Sequence, residues 1–128
     1  MMSLLIPDAR AALTTYADLT ALVPSSKISF SQRAQGQLLP GIIMNLGNVD
    51  YESTTGNAIA VTTYRVDYLT YADSAQVAAN IHDHIKEALL DYTSSHFTIR
   101  LFDELYFVDT DLIHRTTVSA LFEYSPGT

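Results

Sequence analysis

Polar and apolar residues alternate most regularly from Val61 to Tyr71. Tyr64, Val66, Tyr68 and Thr70 fall on one side of that stretch, and Arg65, Asp67, Leu69 and Tyr71 on the other. A period of two sustained over this length predicts a strand whose two faces meet different environments. After Ala72-Asp-Ser74 the period changes to 3.6. Val77, Ala78, Ile81, Ile85, Ala88, Leu89 and Tyr92 make an apolar stripe, with Gln76, Asp83, Lys86 and Glu87 opposite. This is the pattern of an amphipathic helix docked on the sheet, with Asp73 as its cap. Leu90 points away from the stripe, towards solvent in an isolated domain.

The rest of the chain is read around this unit. A first helix is predicted from Leu4 to Tyr16, capped by Ser3, with Pro7 in its first turn and Leu5, Ala9, Ala12, Leu13 and Tyr16 buried. Asp18 is placed to cap a short helical turn over Leu19 to Val23, ended by Pro24. Lys27 to Ser31 alternates as a short strand, and Gln32 to Leu39 reads as an exposed polar arm. Pro40-Gly41 leads into Ile42-Ile-Met-Asn-Leu46, an apolar run expected to be a central strand that continues to Tyr51 or Glu52. Ser53-Thr-Thr-Gly-Asn57 is a hairpin tip. Two short strands, His96 to Phe102 and Leu105 to Val108, are expected on either side of Asp103-Glu104, and Ile113 to Tyr124 closes the chain as a strand. The order implies one α+β domain over residues 1–128, a mainly antiparallel twisted sheet with two principal helices packed on one face.

Composition narrows the chemistry. Seven basic residues stand against fourteen acidic ones, a formal charge of -7 that does not suit neutralising nucleic-acid phosphates. The absence of cysteine removes disulfides, thiolate metal sites and cysteine nucleophiles together. Met1 to Asp8 lacks a basic n-region and its apolar run is too short for a signal peptide, so folding in a cytoplasm is expected. No window has the length of a membrane span.

His82-Asp83-His84 suggests a metal site, but positions two apart on a helix lie about 200° from each other and cannot converge on one ion. Asp103, Glu104, Asp109 and Asp111 are read first as solvated charge around the last hairpin. Asp109-x-Asp111 runs into Leu112 and Ile113 where a calcium loop needs further oxygen ligands and a glycine. No glycine pattern for a phosphate cradle is present, and no nucleophile motif accompanies His96 or His114. A cleft near His96, His114 and the acidic residues is the alternative reading, that of a small ligand-binding or enzymatic domain. On the residues themselves, no catalytic, cofactor or metal position is assigned.

As a whole, the chain resembles the tail completion, or tail terminator, proteins of long-tailed bacteriophages and gene-transfer particles. The resemblance is carried, in order, by Asp18-Leu-Thr-Ala-Leu-Val23, Leu39-Pro-Gly-Ile-Ile43, Thr63-Tyr-Arg-Val-Asp-Tyr-Leu-Thr-Tyr-Ala-Asp73 and Thr117-Val-Ser-Ala-Leu-Phe-Glu-Tyr124. It implies a structural virion protein that is not an enzyme and takes no cofactor. Such a protein assembles as a homo-oligomeric ring, commonly a hexamer, on the head-proximal end of the tail tube. Its partners would be further copies of itself, the tail tube protein and a head connector or neck protein, with DNA passing through the lumen unbound. A head-side neck component is the nearest alternative. A closed ring needs two different complementary faces on each subunit. Arg65, Asp67, Leu69, Tyr71 and Leu90 are the candidate interface residues, and Asp103, Glu104, Asp109 and Asp111 the candidate lumen-facing acids.

Overall fold

The computed structural model describes residues 2–30, 39–53, 60–108 and 112–124. In chain order its elements are α1 (Met2–Thr14), α2 (Ala17–Thr20), a 3-10 turn (Ser25–Lys27), β1 (Ile28–Phe30), β2 (Gly41–Ser53), β3 (Ala60–Ala72), α3 (Ala75–Asp91), β4 (Phe97–Val108) and β5 (His114–Tyr124). The strands form one five-stranded sheet of order β1-β2-β3-β5-β4. Only the short β1–β2 pair is parallel, while β2–β3, β3–β5 and β5–β4 are antiparallel. The expected α+β class is borne out. No helix among the described residues is long and apolar enough to cross a membrane.

The two faces of β3 differ as its alternation requires. Tyr64, Val66, Tyr68 and Thr70 are buried, whereas Arg65, Asp67, Leu69 and Tyr71 are half-buried. In register with the buried set lie Ile42, Met44 and Leu46 of β2 and Thr116, Val118, Ala120 and Phe122 of β5. Against this face pack Ala78, Ile81, Ile85, Ala88 and Leu89 of α3 and Leu5, Ala9, Ala12 and Leu13 of α1, forming the core. Fully burying one aliphatic or aromatic side chain is worth about 1.5–3 kcal/mol, so this one apolar layer dominates the stability. Tyr68 crosses it entirely: its hydroxyl donates to the Ala9 carbonyl of α1 at 2.8 Å.

Local chemistry sets the element ends. Ser74, not Asp73, caps α3, its Oγ accepting from the Val77 N–H at 3.2 Å. The N-cap is the residue whose side chain can reach back to the third helical N–H, and Asp73 lies one position too early. Ser3 is likewise inside α1 (Met2–Thr14), so Pro7 sits in the second turn. Asp18 is in the first turn of α2 and Tyr16 takes the N-cap position without a side-chain bond. There the Asp18 carboxylate favours the helix dipole without closing it. Tyr16, expected to be buried on α1, is half-buried and bonds to Glu87 of α3 at 3.1 Å. At the other end of α3, Asp8 of α1 accepts from Tyr92 Oη at 3.2 Å and from Ser94 Oγ. Ser94 Oγ in turn accepts from the His96 and Phe97 N–H groups, so one α1 carboxylate fixes the turn that launches β4. Burial, with Asp8 beside it, raises the Tyr92 pKa.

One strand expectation holds and one is corrected. The apolar run Ile42–Met44 is an interior strand, between β1 and β3, with β3 at the middle of the sheet. Its continuous hydrophobicity reflects burial on both faces where β1 flanks it, Ile28–Phe30 pairing with Ile42–Met44. The two short strands around Asp103-Glu104 are one strand, β4. Its register with β5 shifts between Leu101 and Asp103, leaving Phe102 as the extra residue of a bulge. A bulge advances the side-chain phase by one, so alternation read across it looks interrupted. Asp103 and Glu104 are therefore strand residues and not loop residues. Residues 31–38, 54–59 and 109–111 lie outside the described residues, and with them most of the polar arm, the hairpin tip, Asp109 and Asp111.

Candidate assembly surfaces

One helix layer covers one face of the sheet; the other face carries Arg65, Asp67, Leu69 and Tyr71 together on β3. In register beside them are Asn45, Ile43 and Gly41 of β2 and Leu121, Ser119, Thr117 and Arg115 of β5. Asp67 Oδ1 accepts from Arg65 Nε at 3.0 Å and from Ser119 Oγ at 2.7 Å. The Arg65 guanidinium lies over the Phe102 ring at 5.3 Å, and its aliphatic stem lies 3.1 Å from where a Cβ at Gly47 would be. Gly47 thus lets the bulged part of β2 approach the arginine. Arg115 stacks on Tyr71 at 4.7 Å and faces Phe107 at 5.7 Å. Two arginines held on aromatic rings, with Leu69 and Ile43 between them, provide preformed contacts rich in the residue types that dominate interface energetics.

The second surface is the free edge, β4. Phe102 to Val108 are seven consecutive exposed residues, including Phe102 at 55%, Leu105 at 58% and Tyr106 at 49%. Leu112, just beyond, has φ of 59° and is 76% exposed. Left-handed backbone is unfavourable for a branched apolar side chain, and here it holds that side chain outward. Leu90 on α3 is 70% exposed, as its position on the helix predicts, and belongs to neither surface.

Between α3 and β4 runs a groove of about 400 Å³ bounded by Ala79, His82, Glu104, Tyr106 and Thr116. Glu104 Oε1 accepts from His82 Nε2 at 2.6 Å and from Lys86 Nζ at 3.1 Å. These two bonds hold the Glu104 carboxyl below its ordinary range, the His82 bond contributing most. A depressed carboxyl stabilises the fold above its unfolded pKa, and that stabilisation is lost as pH falls through the folded pKa. Glu104 is exposed, so the effect is small, below about 1 kcal/mol. We expect Glu104→Gln to lower the urea midpoint slightly at neutral pH, with the difference from the native chain shrinking as acid protonates Glu104. A constant difference from neutral to acid pH would contradict this assignment.

The remaining predicted positions are not brought together. His82 turns to β4 while His84 bonds Glu87 on its own helix at 3.1 Å. His96 precedes β4 and His114 opens β5, at opposite ends of the β4–β5 ladder; at the usual rise per residue they are roughly 30 Å apart. No shared cleft unites them. The bonded imidazoles of His82, His84 and His114 meet Glu104, Glu87 and Tyr106, and none meets a serine or threonine hydroxyl. Asp103 and Glu104 fall on opposite faces of β4, since Asp103 pairs with Ser119 and Glu104 with Val118. The sequence reading missed Arg115, Ser119, Phe102 and Phe107. Extending the β5 alternation back from Thr117 finds Arg115, but the bulge hides Phe102 and Phe107.

Comparison with known proteins places this architecture. A chain in a structure titled "Virion of native gene transfer agent (GTA) particle" superposes with a TM-score of 0.74 at 15% identity, covering 97% of this chain and 96% of that one. The "Structure of bacteriophage SPP1 gp17 protein" matches with a TM-score of 0.55 at 16% identity, covering 96% and 91%. At these identities the likeness is one of fold. No curated protein sequence matches. The family described as "Tail completion protein gp17" matches residues 8–121, nearly the whole of the fold just described, and the chain belongs to that family of tail completion proteins.

Proposed function

We propose that this chain caps the head-proximal end of a phage tail tube as a ring, commonly a hexamer, that ends tube polymerisation and offers the docking surface for the head. It is a structural part of the virion, folded in the host cytoplasm, and it catalyses nothing. Its partners are further copies of itself, the tube protein and a head connector. The observation that carries this reading is the outer sheet face. Arg65, Asp67, Leu69 and Tyr71 are half-buried there with no helix of the described residues over them, beside Arg115 stacked on aromatic rings. A chain of the tail completion family with such a face has the means to bind a neighbour. DNA traverses the ring without specific contacts, repelled by acidic groups that include Asp103, Asp109 and Asp111. Glu104 is already shared between His82 and Lys86 and adds less.

Tails made without this protein test the role. Overlong tubes that fail to join heads are expected in electron micrographs, and tubes of normal length that join heads would overturn it.

A further inference from the structure

The sheet has two open edges, and they are complementary. One is β4, whose Phe102–Val108 stretch is exposed on both faces as well as along its edge. An open, apolar edge of this length is an association hazard unless a partner covers it. The other is β2 beyond Met44. β1 pairs only with Ile42–Met44, so Asn45–Ser53 has no strand partner on its outer side among the described residues.

The strand directions decide which partner fits. Three successive antiparallel pairings separate β2 from β4, so the two edges run in opposite directions. A neighbour related by rotation about an axis along the strands would therefore bring its β2 antiparallel to this β4. Charge points the same way. Two β4 edges paired antiparallel about Phe102–Leu105 would set Asp103 and Glu104 of each copy against those of the other, which is destabilising. Asn45-Leu-Gly-Asn-Val49 carries no charge.

We propose that β4 of each subunit pairs with Asn45–Ser53 of the next copy, so that the sheets of the ring join edge to edge. This rests on the ring reading above and specifies its contact. The interface is heterologous, covers the exposed β4 edge, and uses main-chain hydrogen bonds for register. The outer-face residues then lie on one continuous wall.

The chain has no cysteine, so introduced thiols are the only ones present. We would place one cysteine at Phe102 or Leu105, both on the outer-face side of β4, and one at Asn45 or Asn48 of β2, in the four double combinations, which sample neighbouring registers of the pairing. Paired strands bring opposed Cβ atoms within disulfide reach. Mild oxidation of assembled tails is expected to give a covalent ladder ending at the ring size for at least one double variant, with single-cysteine chains remaining monomeric. Disulfide dimers from the Phe102→Cys or Leu105→Cys chain alone would overturn the proposal in favour of a two-fold β4 contact. No ladder from any double variant, while native mass spectrometry of the same tails still shows a ring, would overturn the edge pairing and leave the ring standing. Tails with no ring at all would remove both.

Discussion

Tyr68→Ala is expected to cost about 3–5 kcal/mol, the range for emptying an aromatic site that cannot collapse. That is a large share of the 5–15 kcal/mol typical of a whole domain. Tyr68 is fully buried in the central strand, and it is the residue whose side chain reaches through the core to α1. Tyr68→Phe separates the two contributions. It keeps the ring and loses only the bond to Ala9, a carbonyl that retains its place in the α1 ladder, so about 1–1.5 kcal/mol is expected. Burial, reinforced by Asp8, raises the Tyr68 pKa well above its ordinary value. The neutral phenol is therefore favoured by folding, and its stabilisation is present below about pH 10 and lost as pH rises further. Urea titrations should show the native chain losing stability in alkali more steeply than Tyr68→Phe. Equal midpoints for Tyr68→Ala and the native chain would contradict the packing described here.

The parts of this fold legible in the sequence are those governed by a single period. The alternation in β3 correctly separates Tyr64, Val66 and Tyr68 from Arg65, Asp67, Leu69 and Tyr71 because a strand in mid-sheet has no freedom to change phase. The α3 stripe is legible for the same reason. Where two effects compete, the reading slips. At the α3 start, Asp73 and Ser74 are both good caps by type, and only the reach to the Val77 N–H chooses between them. In β4, one inserted residue at Phe102 reverses the faces of everything that follows. It turns a continuous strand into two apparent fragments and hides the stacking of Arg65 on Phe102.

The candidate surfaces were legible only as far as β3 carried them. Arg65, Asp67, Leu69 and Tyr71 share a face by periodicity, but their neighbours Ser119 and Arg115 join them through the β3–β5 register. No local pattern contains that register. The same limit explains why His96 and His114 seemed close enough to line one cleft: both flank the last hairpin in sequence, yet the ladder sends them to opposite ends.

Leu69→Glu is expected to leave the subunit folded and abolish its assembly. Leu69 lies on the outer face between Ile43 and Thr117, in mid-sheet but with no helix above it. A carboxylate there can remain hydrated in the free subunit, so the cost to folding is that of a poor strand residue, about 1 kcal/mol. Where the tube or connector protein covers that wall, the same carboxylate is buried without a partner, a penalty of several kcal/mol in every subunit. The ratio of these effects is the diagnostic. Circular dichroism and a urea midpoint near that of the native chain should accompany tails that fail to acquire the protein and fail to join heads. Leu90→Glu provides the contrast: on the helix layer and already 70% exposed, it should leave folding unchanged and weaken joining less. A Leu69→Glu chain that assembles and joins heads normally would show the outer face to be solvent-exposed in the virion. The outer face would then carry no partner, and the contact with tube or connector would have to lie on the helix layer, with the β4 edge pairing between copies and the fold unchanged.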